Sequence, residues 1–258
     1  MKAAVLYGAS LRWRVIEFRR YAFDTLSSVL SIYGFFVVIF LGAKLFGGDR
    51  PGFGHTLEGV VVSYALWAFT ILSLGSLTFE LTQEATEGTL EQLGMSPFGL
   101  VRVLLARVAS SLVVYFVVWS GLLLVMMTTT GKWLNLDVVS VVPLLFVTLV
   151  GMIGVGFVLG GQAIVFKRIQ NALQIYQILI IALVVVPADR VTVIKFLPLG
   201  WGTHLLQRVL VDGDSIFELG AGDLLFLVAN SLFYFLGGIA VFRLFERAAR
   251  ERGLLGHY

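Results

Sequence analysis

The chain has 258 residues, of which 58% are hydrophobic and 14% charged, and its mean hydropathy is +0.92. A soluble domain carries about 25% charged residues, so this composition predicts a membrane protein. The sequence contains no cysteine, which excludes disulfides and thiolate metal sites within it, and the formal net charge of +3 does not indicate a nucleic-acid partner.

The first predicted element is an amphipathic helix at residues 9–23 that lies in the membrane interface. Apolar residues recur there at helical spacing, at Leu11, Val15, Phe18 and Ala22. Four arginines in the same segment can reach lipid phosphates. The alternative is a plain basic flank before the first apolar run. That run is too long for the core of a signal peptide, so we expect no cleavable signal.

Six apolar windows without Asp, Glu, Lys or Arg follow, each of 19 residues or more. A helix needs about 20 residues to cross a ~30 Å hydrocarbon layer, so these windows predict six spanning helices. Strands of a β-barrel would be about half as long and would alternate in polarity. The predicted spans, built on these windows, are 25–45, 59–79, 100–130, 138–166, 169–188 and 221–243.

The positions of lysine and arginine predict the orientation of these spans. With both termini in the cytoplasm, thirteen of these residues lie on the cytoplasmic side and six lie outside. An even number of spans also puts both termini on one side. We therefore expect residues 1–258 to form one multi-pass transmembrane domain with cytoplasmic termini.

Glycines of the fourth predicted span favour close packing of helix backbones over nucleotide binding. They follow no predicted strand, and the chain has no match to the phosphate-binding pattern G-x-x-x-x-G-K-[ST]. We therefore predict no nucleotide site on this chain. The glycines are Gly151, Gly154, Gly156, Gly160 and Gly161.

The fifth predicted span carries a polar face at its cytoplasmic end. Gln170, Gln174 and Gln177 are spaced i, i+4 and i+7, so they share one side of a helix. In hydrocarbon such a face must bond to another helix or line a wet path. Two interpretations stay open, namely interhelical hydrogen bonds and a substrate path.

Residues 190–217 are predicted to form a re-entrant segment on the outer side, before the last span. The segment is too short to cross the membrane and return as two full helices, and it is too apolar for a solvated loop. A helical hairpin surrounded by protein accommodates both properties.

An acidic segment lies between the second and third predicted spans. Glu80, Glu84, Glu87 and Glu91 are spaced i, i+4, i+7 and i+11, so they form one stripe on a helix. Their mutual repulsion requires compensation, for which Arg102, Arg107 or a partner's basic groups are candidates. The segment can be a solvated loop, an ion-binding cluster or a docking element, and periodicity does not choose among them.

The string from Glu84 to Pro97 resembles the cytoplasmic loop of ABC transporter permeases of the type 2 exporter class. In that loop an acidic start, a Gly-Thr-Leu-Glu core and a closing proline precede the third span, as Gly88-Thr89-Leu90-Glu91 and Pro97 do here. The resemblance extends to the basic N-terminal helix, the six spans and the apolar segment before the last span. One departure is Ala85-Thr86, where the family often has a basic residue.

The resemblance implies an all-α polytopic permease whose residues 82–97 form a coupling helix. In the family this helix inserts into a cleft of a cytoplasmic ABC ATPase subunit, and two permease halves bind two ATPases. The second half is expected to be a copy of this chain. ATP and Mg would be held by the ATPase, and this chain would carry no cofactor, metal or catalytic residue. The residues carried over to the coupling element are Glu84, Glu87, Gly88, Thr89, Leu90, Glu91 and Pro97.

The expected activity is export of a hydrophobic or amphipathic cargo across the cytoplasmic (inner) membrane of a prokaryote. The end of the acidic loop is more similar to drug, antibiotic and lipid exporters than to polysaccharide exporters. A polysaccharide, glycolipid or ion exporter of the same family is the alternative. A secondary transporter driven by an ion gradient and a scaffold without transport are two further classes.

Overall fold

A computed structural model of the chain describes residues 2–46, 56–87, 96–166, 174–180 and 192–251. The described residues are almost entirely helical, which confirms the all-α class. The helices are α1 (Lys2–Arg20), α2 (Ala22–Phe46), α3 (Leu57–Glu87), α4 (Leu100–Thr130), α5 (Val138–Phe166), α6 (174–180), α7 (Thr192–Phe196), α8 (Gly200–Gln207) with the π-helical turn Arg208–Asp212, and α9 (Ala221–Glu251).

Four of the described helices are long and apolar enough to cross a membrane, namely α2, α4, α5 and α9. Such helices indicate a multi-pass membrane protein. In α3 the described side chains cover the apolar stretch Leu57–Ser73, and the side chains of residues 74–79 are outside the description. Only 174–180 of the predicted fifth span lies within the described residues, so the number six stays a prediction.

The bounds of α4 and α5 coincide with the predicted third and fourth spans. A charge-free window marks both ends of α5, whereas the start of α4 lies beyond its window and follows the turn at Pro97. Other helices differ from the prediction. The N-terminal helix runs over Lys2–Arg20 and gives way to a turn at Tyr21, whereas the pattern indicated 9–23. The last helix continues beyond 243 to Glu251.

The largest difference concerns the start of the predicted coupling helix at 82–97. Helix α3 continues without a break from the second predicted span through Glu87, so this part is not a separate element. Six of the eight residues 80–87 are good helix formers, the exceptions being Thr82 and Thr86, and the strongly helix-weakening Gly88 lies outside the described residues. At the other end, Ser96–Phe98 form a turn and Gly99 adopts a left-handed φ of 76° before α4.

Helices α5 and α9 pack with their backbones in direct contact. A β-carbon at Gly154 would overlap the backbone at Tyr234, and one at Gly238 would overlap the backbone of Gly154. Further along the same seam Gly151 faces Ser231, and Gly161 faces Phe245. Of the glycines predicted to serve packing, Gly151, Gly154 and Gly161 thus face the last helix, whereas Gly160 lies nearest to Leu81 of α3.

The hairpin formed by α7 and α8 is inserted between the long helices. Gly202 of α8 lies against Thr148, which is ten residues into α5 and so about 15 Å from its start. The Gln207 amide donates a 2.7 Å hydrogen bond to the Ser63 hydroxyl of α3. The Tyr234 hydroxyl donates to the carbonyl of Phe196 at 3.1 Å. These contacts place the hairpin against α3, α5 and α9, and its depth in a membrane stays a prediction.

Helix α3 runs through the centre of the protein and places its acidic end. Its residues Val60 to Phe69 are mostly buried, and the Trp119 indole of α4 donates a 2.7 Å hydrogen bond to the Ala65 carbonyl. The Tyr64 hydroxyl likewise donates to the Ile32 carbonyl of α2 at 2.6 Å. These contacts fix α3 between α2 and α4, so the position of Glu80 is set by the packing.

Candidate functional site

Charged side chains from three helices meet where α3 ends and α4 begins. We call this group the ionic cluster; its members are Arg14, Glu17, Glu80, Glu84 and Arg107. It brings together the N-terminal helix α1, the acidic stripe of α3 and the first turns of α4.

Arg14 is the most deeply placed member of the ionic cluster and is 6% exposed. Its guanidinium donates to the Glu80 carboxylate and, at 2.9 Å, to Glu17 three residues along α1. A buried charge is tolerated only when it is paired and hydrogen-bonded, and these two carboxylates provide that pairing. Arg14 therefore fastens α1 to α3.

Arg107 provides the second cation of the ionic cluster. Its Nη1 atom lies 3.1 Å from Glu84 Oε1 and 3.7 Å from Glu80 Oε2. The two glutamates are spaced i, i+4 and would repel each other without a cation between them. The predicted compensation by Arg107 is confirmed.

Trp13 covers the two guanidinium groups from the side of α1. The Cζ atoms of Arg14 and Arg107 lie 5.3 Å and 5.2 Å from the centre of its ring. Both distances fall within the range of a cation–π interaction, which Trp provides better than the other aromatic side chains. The indole thus links the two cations and adds a contact between α1 and α4.

Burial raises the pKa of the Glu80 carboxyl, and the Arg14 and Arg107 guanidinium groups act in the opposite direction. Glu80 lies one residue beyond the predicted span 59–79. Its negative charge therefore depends on the two arginines staying in place. A movement that separates α1 from α3 would favour the neutral acid.

The residues predicted to contact an ATPase are only partly described. Glu84 lies in the ionic cluster, paired with Arg107, and Pro97 lies exposed in the turn before α4. Glu87 is the last residue of α3, and its side chain is not among those described. Gly88, Thr89, Leu90 and Glu91 lie outside the described residues.

The glutamine face of the predicted substrate path is also partly described. Gln170 lies outside the described residues, whereas Gln174 and Gln177 lie on α6 at a spacing of three and are both exposed. Three apolar residues of the same short helix are exposed as well, at Ile175, Ile178 and Leu179. In a single copy of the chain, α6 therefore exposes both polar and apolar side chains on its surface.

The sequence did not single out Arg14 as a partner of Glu80. Five basic residues precede the first span, and their number indicates orientation, not which one turns toward the protein. The only available indication was that Arg14 and Glu17 share a helical face with apolar neighbours.

The described part of the chain holds no group of three or more His, Asp or Glu side chains that could bind a metal ion. The Glu80 and Glu84 carboxylates pair with arginines. This pairing favours a role in holding helices together over a role in binding a metal ion. The ionic cluster thus connects the three helices α1, α3 and α4. No family model and no curated protein matches this chain.

Proposed function

We propose that this chain is the membrane-spanning subunit of an ATP-driven ABC exporter of type 2, which moves a hydrophobic or amphipathic cargo out of the cell. The proposal rests on the resemblance of residues 84–97 to the coupling loop of that class. Six spans with cytoplasmic termini in a prokaryotic inner membrane belong to the same proposal.

The observation that carries the proposal is the ionic cluster at the root of the acidic segment. Residues 88–95 connect α3 to the turn before α4, and the cluster ties those two helices to α1. A force applied to the acidic segment would therefore act on three helices at once. A lever that couples a cytoplasmic ATPase to membrane helices needs such a connection.

In this scheme the energy comes from a separate protein. Two ATPase subunits would bind ATP and Mg, close on each other and push the acidic segments of two permease halves. Glu87, Glu91 and their neighbours would contact the ATPase. Glu84, which is held by Arg107, would transmit the movement into the bundle.

The exposed glutamines of α6 support a second permease half. Gln174 and Gln177 face outward from the chain, and amide groups facing lipid would lose their hydrogen bonds. A second copy placed against α6 would supply partners for them or enclose a wet path between the halves. We propose that this path carries the cargo.

A charge-reversal experiment tests the docking role. We expect Glu87→Lys combined with Glu91→Lys to lower recovery of the ATPase subunit with the tagged permease at least about ten-fold, because like charges would meet in the interface. Recovery is measured by co-purification in mild detergent from cells that express both proteins. Export should fall with it, while the amount of inserted permease stays the same.

The matched control reverses two glutamates at the same end of the protein but on the last helix. Glu246→Lys with Glu251→Lys makes the same change of charge, and the ion pairs described for both residues lie within α9. The side chain of Glu251 is 70% exposed and that of Glu246 is 14% exposed. Recovery of the ATPase should stay within two-fold of the parent, because this variant leaves the charges of the acidic segment unchanged. Equal recovery with the first double variant and the parent would contradict the proposal.

A further inference from the structure

A groove of about 930 Å³ lies between α1 and the start of α4, beside the turn that contains Pro97. The groove is separate from the ionic cluster, and none of the residues that line it belongs to that cluster. The described residues that line it are mostly apolar and include one charged side chain. The residues that define its character are Leu6, Tyr7, Phe98, Arg102, Leu105 and Ala109.

The groove changes in polarity along α4. Arg102 lies in the first turn of the helix, and Ala109 lies seven residues further, which is about 10 Å deeper toward the middle of the span. Leu105 lies between the two. The charged end therefore faces the interface and the apolar end faces the hydrocarbon layer. An amphiphile with an anionic head and a hydrocarbon tail has the same order of polarity.

The charge of Arg102 is not used within the described chain. Its side chain is exposed and forms no ion pair with any carboxylate that the structure describes, unlike Arg14 and Arg107. No carboxylate lines the groove among the described residues. The complement to this site is an anion attached to an apolar body.

We propose that this groove binds an acidic phospholipid, with the phosphate on the Arg102 guanidinium and an acyl chain along Leu105 and Ala109. Arginine pairs with phosphate through two parallel hydrogen bonds, and basic pockets between membrane helices bind anionic headgroups. The volume lies at the upper end of the range of about 300–1,000 Å³ for small-molecule sites.

A lipid bound in this groove would also contact residues of two helices and of the turn before α4. Pro97 lines the groove and ends the acidic segment, and Leu6 and Tyr7 belong to α1, which the ionic cluster fastens to α3. A lipid in the groove would hold α1 against the start of α4 next to the proposed docking segment. This inference goes beyond the proposed function and does not depend on it.

Photocrosslinking of the permease alone tests the proposal. The chain is placed in phosphatidylcholine nanodiscs with a small amount of phosphatidylglycerol that carries a diazirine in its acyl chain. We expect the labelled peptide to contain Leu105 to Ala109. Arg102→Gln should lower the labelling about five-fold, the effect of about one basic group near an anionic headgroup. Arg102→Lys should retain most of it, and Arg12→Gln, which removes an exposed arginine outside the groove, should retain all of it.

A competition series on the parent protein makes the test independent of any variant. Unlabelled phosphatidylglycerol should displace the labelled lipid, whereas phosphatidylcholine should not. Inorganic phosphate should also fail to displace it, which distinguishes a lipid headgroup from a free anion. Equal labelling of the parent and Arg102→Gln, or equal labelling by a phosphatidylcholine probe, would overturn the proposal. Because no ATPase is present, neither result bears on the coupling scheme.

Discussion

Arg14 shows how one residue decides the arrangement of a whole end of this protein. It is a cation in a buried position, and it contacts Glu80 on another helix and Glu17 on its own. Its Nε atom has no hydrogen-bond partner among the described groups, so the guanidinium depends on the two carboxylates. The pairing is therefore specific, since another anion nearby could not replace Glu80 without moving α3.

Replacing Arg14 by methionine should destabilise the protein by roughly 3 kcal/mol, because it leaves the buried Glu80 carboxylate with only the longer contact to Arg107. Adding Glu80→Gln should restore most of that loss, since the double variant removes the uncompensated charge. Unfolding in detergent, followed by tryptophan fluorescence, measures the four free energies of the cycle.

Arg19→Met is the control for this cycle. Arg19 lies on the same helix but is exposed and forms no ion pair with a described carboxylate, so we expect an effect within about 0.5 kcal/mol. A double variant as unstable as the sum of its two single variants would show that Arg14 and Glu80 do not interact. The link between α1 and α3 would then need another basis.

At the scale of elements, the closest association is that of α5 with α9. Gly154 and Gly238 allow the two backbones to touch, whereas the preceding residue of α9, Gly237, has open space around it. These two neighbouring glycines differ only in the side of the helix on which they lie. Replacing each of them by alanine therefore distinguishes two effects: both substitutions change the helix propensity of α9, but only the one at Gly238 also disturbs its packing against α5.

We expect Gly238→Ala to destabilise the protein by about 1–3 kcal/mol, because the added methyl group would push α5 and α9 apart. Gly237→Ala should instead be neutral or stabilise by up to about 1 kcal/mol, since alanine is the better helix former. Unfolding in the same detergent compares the two variants directly. If both substitutions had the same effect, the seam would not hold these helices together.

The lengths of the helices were more predictable than their partners. The turn at 96–98 and Gly131 mark the two ends of α4, and a charge-free window marks both ends of α5. The glycines of α5 indicated a face for close packing, but any helix with small residues could have met it, and the structure places α9 there. Pairing between distant elements leaves no periodic pattern in either sequence.

The candidate site was predictable only where local spacing carries information. Glu80 and Glu84 had to share a face, and they do, with a cation between them. Arg102 and Arg107 were equivalent candidates for that cation. They are five residues apart, which turns them to different sides of α4, so Arg107 joins the ionic cluster and Arg102 lines the groove. That choice depends on the rotation of α4, which its packing sets.

At the scale of the whole molecule, α3, α5 and α9 run in one direction and α4 runs in the other, so the described part of the protein has two different ends. The ionic cluster lies at one end, where α3 and α9 finish. At the other end Lys132 donates a 2.7 Å hydrogen bond to Glu58, and its ammonium holds the pKa of that carboxyl below the usual value. Most described basic residues lie at the first end, as expected for the cytoplasmic side.

Single cysteines can test this orientation, because the chain has none of its own. Phe217 is 87% exposed in the loop before α9, and Arg247 is an exposed residue near the other end of that helix. A membrane-impermeant maleimide added to intact cells should label Phe217→Cys and leave Arg247→Cys unlabelled. Opening the cells should make both positions react, which controls for access at each site.

Each possible failure of this labelling has a distinct meaning. If both positions reacted in intact cells, α9 would not cross the membrane. The two ends of the helix bundle would then not lie on opposite sides of the membrane. If only Arg247→Cys reacted, the helix would span in reverse, and the ionic cluster would face outward. A cytoplasmic ATPase could then not reach the segment between α3 and α4, because a spanning bundle separates the two. The orientation of α9 thus decides whether a cytoplasmic ATPase can reach the acidic segment between α3 and α4.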